Sequence, residues 1–393
     1  MAVGYDLGVW WSSRRGKGSR HRLPLSVHVG LVLSVAVGAA YSLWWLWSGT
    51  WEFALSGELD DKTRLEIAKI VLAIVGGLGG VVFLTVRYRK QRDGENAEVR
   101  EQVKHFHERF DAAAEQLGSD APRVRLAGVY AMAALADDWD AGRQTCINVL
   151  CGYIRAPYEP PGELAVDATD EDRRVHAVAT QEREVRRAIL DTIGGRLREK
   201  PKSGRTWHGH TFDLNGAVIE SADLTGVKIP AGTVLNFTRA MFPTGMVNFD
   251  LAELSGGLID FTRARFCGGR VGFLSARFSK GDIRFSDARI SGGEVVLFGA
   301  WFSGGLMVFD GVVISGGEVL FFRTEFTKGE LSFFDAEFPG GRVDFRHSGF
   351  SGGLIDFTRA RFSGGTVDFG GARFNGGRLK LTGIKDWSVP PRF

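Results

Sequence analysis

Few residues in this chain have the type and spacing that chemistry demands. His105 and His107 are two apart, so a helix points them to different sides and they cannot grip a metal as i, i+4 histidines would. His107-Glu108 runs on into Arg109-Phe110 and never completes a zinc-binding HExxH. Cys146 and Cys151 flank one helical turn and read as small buried apolar groups, while Cys267 stands alone. Three such cysteines make neither a disulfide framework nor a zinc site. His208-Gly209-His210 and His347 have no serine or carboxylate constellation near them, and no glycine-rich phosphate loop follows a strand. The sequence therefore calls for no catalytic residue, no cofactor and no metal. An enzyme with a site built from surface side chains is the weaker alternative.

What remains is architecture. The chain has 393 residues, enough for two or three structural units, and its 44% hydrophobic and 24% charged content is globular. Its net charge of +3 gives no bulk electrostatic case for nucleic acid. Glycine is over-represented at 53 residues, but without a Gly-X-Y period and with only 11 prolines the chain is not collagen.

The first ninety residues read as a membrane hairpin. A basic tail (1–22) precedes an uncharged run taken as a first span (23–48); a loop (49–64) leads to a second span (65–87), whose uncharged part is Ile70–Val86. Arg14, Arg15, Lys17, Arg20 and Arg22 before the first run, and Arg87, Arg89, Lys90 and Arg92 after the second, place both termini in the cytoplasm and the loop outside. Trp44, Trp45, Trp47 and Trp51 would form the outer aromatic belt. Gly76 and Gly80 have the spacing of close helix packing, against the first span or another copy. With no charge inside either run, an anchor in the cytoplasmic (inner) membrane is expected rather than a transporter. A signal peptide is the competing reading.

Residues 93–200 have the composition of a helical module. Val99, Val103, Phe106, Phe110 and Leu117 mark one amphipathic helix, with Ser119 or Asp120 expected to cap the next and Pro122 in its first turn. Further helices are expected over Val124–Leu135, Ile147–Ile154 and, after a proline break and an acidic linker, Glu182–Leu197. Such a stack is similar to HEAT or armadillo repeats.

The runs Glu108-Arg109-Phe110, Glu115-Gln116-Leu117-Gly118-Ser119-Asp120 and Val124-Arg125-Leu126-Ala127-Gly128-Val129-Tyr130-Ala131 resemble a motif of actinobacterial membrane-anchored pentapeptide-repeat proteins. That resemblance implies a double-span anchor, a helical module and then a repeat solenoid. Met132 and Ala133 depart mildly from the pattern.

The repeat itself is legible. Phe212, Leu214, Ala217, Ile219, Ala222 and Leu224 follow the pentapeptide pattern, in which a small and a large residue on each short strand face inward. After Phe242 the period is twelve. One column runs Phe242, Leu254, Phe266, Phe278, Ile290 and onward to Phe374; a second, Phe249 to Phe369, is phenylalanine in ten of eleven places, with Leu297 the exception. Gly-Gly pairs recur at one phase and supply corners that need positive φ or close backbone approach. Apolar residues at i and i+2 face one side of an extended segment, so stacked coils would enclose ladders of rings. Twelve residues make two sides, so a four-sided coil of 24 is expected, with a flattened coil of twelve as rival. Six such coils, about 30 Å, would follow one pentapeptide coil. The helical module, with Trp207 as a plug, is expected to close one end, and the tail 383–393 the other.

The expected fold is thus a membrane-anchored α+β chain: two transmembrane helices, a small HEAT-like module and a right-handed β-solenoid of pentapeptide-like repeats (205–382). Outward positions are charged near the ends and become apolar in the middle, at Val296, Phe298, Trp301, Val308, Val313, Leu320, Phe322 and Phe334. These residues form a candidate protein-interaction patch; that some merely pack at corners is the alternative. Asp344 and Asp368 would stack and could draw a cation. The expected function is non-catalytic protein binding or scaffolding at the cytoplasmic face of the membrane, with an unspecified protein partner and no nucleic acid; a homo-oligomer stays open. A DNA-mimic regulator of a topoisomerase is the alternative, disfavoured because residues 205–393 carry 21 basic and 19 acidic side chains.

Overall fold

The structure, a computed structural model, describes residues 61–200 and 205–393, with scattered helical positions between Gly30 and Trp45. The basic tail, most of the expected first span and most of the expected loop lie outside the described residues. The chain divides into two compact units, Met1–Val103 and Lys104–Phe393.

The two transmembrane helices are corrected. Among the described residues, no helix is long and apolar enough to cross a membrane. The segment read as a second span lies instead within helix α1, Asp61–Leu117. Its uncharged stretch Ile70–Val86 has 17 residues, which as a helix is about 26 Å, short of the ~30 Å hydrocarbon core. Arg87, Arg89 and Lys90 follow at once. Gly76 and Gly80 are exposed, and a Cβ at either would meet nothing within 4 Å, so no element packs on them among the described residues.

In the second unit the end of α1 packs with α2 (Pro122–Asp138), α3 (Arg143–Arg155) and α4 (Asp170–Arg198) around Val129, Met132, Leu135, Ile147, Leu150 and Ile189. Pro122 opens α2 as expected, but the N-cap is Ala121 and no side chain caps it. Arg125 instead donates to the carbonyls of Ser119 and Asp120. Helix α4 begins well before the expected Glu182. Thr169 and Asp172 form a capping box, and Asp170, Glu171 and Asp172 lie in the first turn, where acids complement the helix dipole. The acidic stretch read as linker is a helix start. Phe106 stacks on Trp139, 5.6 Å away and 4° from parallel. Burial pushes the Cys146 and Cys151 thiols up to about 11 and about 12, so both are inert packing groups.

Beyond the module the chain winds into a pentapeptide-repeat-like β-solenoid of about seven turns. All strand pairs are parallel, and the register decides the coil: Phe278 pairs with Phe302, Ile290 with Ile314 and Val295 with Val319, each 24 positions on. The flattened twelve-residue coil is excluded by these pairings. Each coil has four corners six residues apart, as at Ser275, Gly281, Asp287 and Gly293. The opening coil is as wide as the rest to within a residue, since Phe212 pairs with Leu235, 23 on, and Ala222 with Val247, 25 on.

The interior is four ladders of side chains. Phe237, Phe261, Phe285, Phe309, Phe333 and Phe357 form one, with centroid spacings such as 4.5 Å between Phe285 and Phe309. A second holds Phe321, Phe345 and Phe369; a third holds Phe278, Phe302, Phe326 and Phe350. The fourth holds Phe338 and Phe362 above the aliphatic Ile290 and Ile314. Within a ladder the rings lie parallel because in-register strands stack ~4.8 Å apart. Between ladders they meet edge to face, as Phe333 does with Phe345 at 6.3 Å and 87°.

Two of the four corners are Gly-Gly, and the glycines act in both expected ways. Gly305 has φ +80, and a Cβ there would also run into the Gly281 carbonyl; Gly317 has ordinary φ but the same kind of close approach to Gly293. The other two corners place, in most coils, a non-glycine in the left-handed region, as at Arg263 (φ +59) on one and Ser275 (φ +53) on the other. The Gly-Gly period does not reveal them.

The module closes the first coil. Trp207 is fully buried, stacks on Phe212 at 6.4 Å and donates its indole N–H to Asp137 at 2.9 Å. Gln144 exchanges two hydrogen bonds with the Thr211 backbone, and Arg183 holds Glu220 at 3.0 Å. Arg186, buried, donates to the carbonyls of Tyr153 and Ile154 and lies 4.4 Å over the Tyr158 ring. At the far end the tail extends the wall: Asp386 bridges to Arg361 and Arg392 to Asp368, and Phe393 stacks on Phe369.

Candidate interaction surface

One side of the solenoid is built from the parallel strands Arg270–Gly272, Glu294–Val296, Glu318–Leu320, Arg342–Asp344 and Thr366–Asp368. Strand alternation sends Val295 and Val319 inward and Val296 and Leu320 outward. In-register pairing then sets Val296 on Leu320. Past each strand the chain turns, and the residues at that turn stack as well: Phe298 on Phe322, 5.6 Å apart and 15° from parallel. Leu274, one coil earlier at the same turn, is also exposed. Leu274, Val296, Phe298, Leu320 and Phe322 thus form one apolar strip across three coils.

Its rim is basic and aromatic on the Phe322 side, while Glu294 and Glu318 face outward at the start of the same strands. The Arg323 and Arg346 guanidiniums lie 5.4 and 5.9 Å from the Phe322 ring centroid, and His347 meets that ring edge-on at 5.4 Å. Below, Asp344 and Asp368 do stack in register. Arg346 reaches both, and Arg342 pairs with Asp344 at 2.6 Å, so the expected carboxylate repulsion is already neutralised by the protein's own guanidiniums. Burial on its own would raise the Asp344 carboxyl; hydrogen bonds from Arg346 and the charges of Arg342 and Arg346 outweigh it and hold the group below the usual carboxylate range. Among the described residues no group of three or more His, Cys, Asp or Glu could hold a metal ion.

The remaining sequence-nominated residues lie elsewhere on the coil. Trp301, 52% exposed, begins the strand Trp301–Val308 around the next corner. Val308 ends that strand two sides away from Val296 and is largely buried; Phe334 is exposed beside it, under Arg359. Val313 belongs to the four-stranded sheet between Arg289 and Glu337. The eight residues therefore do not form one patch. Four of them do, joined by Leu274.

Sequence reasoning missed Leu274, Arg323 and Arg346, although the signal was present. In four of the five other coils the outward residue of this column is Asp223, Asn248, Asp344 or Asp368, whose side-chain oxygen accepts the N–H of the residue two positions on; the fifth is Gly272, and there Asp250 of the preceding coil serves the Leu274 N–H. Val296 and Leu320 stand where that turn-capping acid or amide should be. Compared with known proteins, the chain matches no family model, no curated protein and no solved structure.

Proposed function

We propose that this protein is a non-catalytic binding or scaffolding protein whose solenoid offers the Val296–Phe298–Leu320–Phe322 strip to a protein partner. The carrying observation is a contrast within one column. The end coils keep polar, turn-capping residues at these positions, whereas two central coils replace them with outward-facing, half-buried apolar ones, forgoing a local hydrogen bond worth about 1 kcal/mol. The Phe298–Phe322 stack and the Val296–Leu320 pair return part of that loss within the coils, and the contiguous outward apolar surface they make is of the kind that marks an interaction site. The order of helical module and repeats further supports kinship with the actinobacterial pentapeptide-repeat proteins whose helical motif this chain resembles.

The test is proximity labelling in cells with the full chain and with Phe298→Asp/Phe322→Asp. Asp250 already occupies the same turn position, so aspartate fits the fold there. The labelled neighbours should be lost in the double variant and kept in Trp301→Asp, which alters a different side. Neighbours unchanged by the double variant would remove the strip as the docking site.

A further inference from the structure

We propose that the occupant of this strip is a peptide segment that presents a carboxylate among apolar residues, and that this carboxylate caps the turns of the two central coils from outside. The inference rests on the docking reading above and specifies the chemistry of what docks.

It begins from two backbone groups. At this turn the N–H of Thr225, Asp250, Arg346 and Gly370 is accepted by Asp223, Asn248, Asp344 and Asp368 respectively, at 2.8–3.1 Å. Leu274 N–H is served by Asp250 from the preceding coil at 2.7 Å. The N–H groups of Phe298 and Phe322 have no acceptor among the described residues, because Val296 and Leu320 offer none. They lie one coil apart, at the ~4.8 Å strand spacing, on the same turn where other coils hold a carboxylate or amide oxygen.

In water these donors are hydrated. A purely apolar partner would strip that water and leave both unsatisfied, so the partner that fits brings its own acceptor. Charge selects which acceptor. Arg323 lies beside Phe322 and has no carboxylate partner among the described residues, whereas Arg346 is committed to Asp344. Two free amide donors beside one uncommitted guanidinium favour an anion over a neutral carbonyl. The turn N–H groups of Ser286 and Asp310 also lack an acceptor, but the carboxylates of Asp287 and Asp310 stand next to them and disfavour an anion there.

The experiment uses the full chain with ¹⁵N-labelled phenylalanine and two capped peptides of mixed composition, one leucine and glutamate, the other leucine and glutamine. The glutamate peptide should bind at least tenfold more tightly and shift the Phe298 and Phe322 amide protons downfield. Val296→Asp/Leu320→Asp, which installs in cis the cap that Asp344 and Asp368 already provide, should move those amides without peptide and weaken binding at least tenfold. Arg323→Gln should weaken the glutamate peptide selectively. Equal binding of the two peptides, or amides that do not move, would overturn the carboxylate inference while leaving apolar docking intact; binding of neither peptide would overturn it as well. Loss of labelled neighbours in cells is read separately, so the two readings can fail independently.

Discussion

The rings of Phe333 and Phe357 lie 3° from parallel with centroids 4.8 Å apart. That distance is the spacing of the strands that carry them, so ring stacking and backbone hydrogen bonding are satisfied by one geometry. A ladder of this kind is sensitive at every rung. Phe333→Ala opens a gap between Phe309 and Phe357, and the fixed strand spacing keeps the walls from collapsing into it. The expected loss is about 3–5 kcal/mol. Phe333→Leu should cost about 1 kcal/mol, since Leu297 already serves as a buried rung in a neighbouring ladder. Urea unfolding midpoints of the two variants check the ratio; equal losses would mean that the ladder relaxes.

Much of this interior is legible in the chain. The columns through Phe242 and Phe249, the small residues at Ala240 and Ala264, and the diglycines fix what faces inward, because alternation and a constant period leave one solution. Coil size needed a further fact, namely which copy pairs with which. Register is a relation between distant segments, and a twelve-residue period is compatible with two closures. The apolar strip was only half legible for the same reason. Val296 and Leu320 stack because they are 24 apart, but Val308 and Trp301, close in sequence, turn away around corners. The expected spans failed on a different ground: counting uncharged residues from Ile70 to Val86 takes no account of the charged helix in which they lie.

The acid response of the solenoid should centre on Asp344. Its carboxyl is held below the usual range in the folded chain, so it binds protons less readily there than in the unfolded chain, where the ordinary value is about 3.9. The stabilisation is therefore complete above about pH 4 and is lost as pH falls through the lower folded value. Asp344→Asn removes the ionisable group. Its stability deficit relative to the native chain should be largest near pH 6 and shrink as pH approaches 3. Chemical denaturation at several pH values measures this; a deficit independent of pH would show that the Arg342 and Arg346 pairs contribute through geometry alone.

The junction between module and solenoid depends on Asp137. One carboxylate accepts from the Trp207 indole and from Arg196, each at 2.9 Å, in a largely buried position. Asp137→Ala leaves a buried N–H and a partly buried guanidinium without that acceptor, at a cost of about 3 kcal/mol. A solenoid transmits such damage only to its neighbours. Amide exchange should therefore accelerate around Phe212 and Leu214 and stay unchanged around Phe333 and Phe345. Uniform acceleration would show that the coils unfold as one cooperative block.

Two glycines one corner apart should lose very different amounts of stability to the same added methyl. Gly299 has φ +64, and a Cβ there would find only Ser275 Oγ at 3.7 Å. Ser275, Arg323 and His347 hold that same corner in other coils with φ between +53 and +57, so side chains are accommodated there. Gly299→Ala should cost only the left-handed backbone preference, about 1 kcal/mol. Gly305 also has positive φ, but its Cβ would drive into the Gly281 carbonyl, which belongs to the wall of the coil beneath. Gly305→Ala must push two coils apart, adding about 3 kcal/mol of overpacking. Thermal melts of the two variants give the comparison directly. Equal shifts would mean that backbone conformation, rather than the close approach of stacked coils, sets the demand for glycine at this corner.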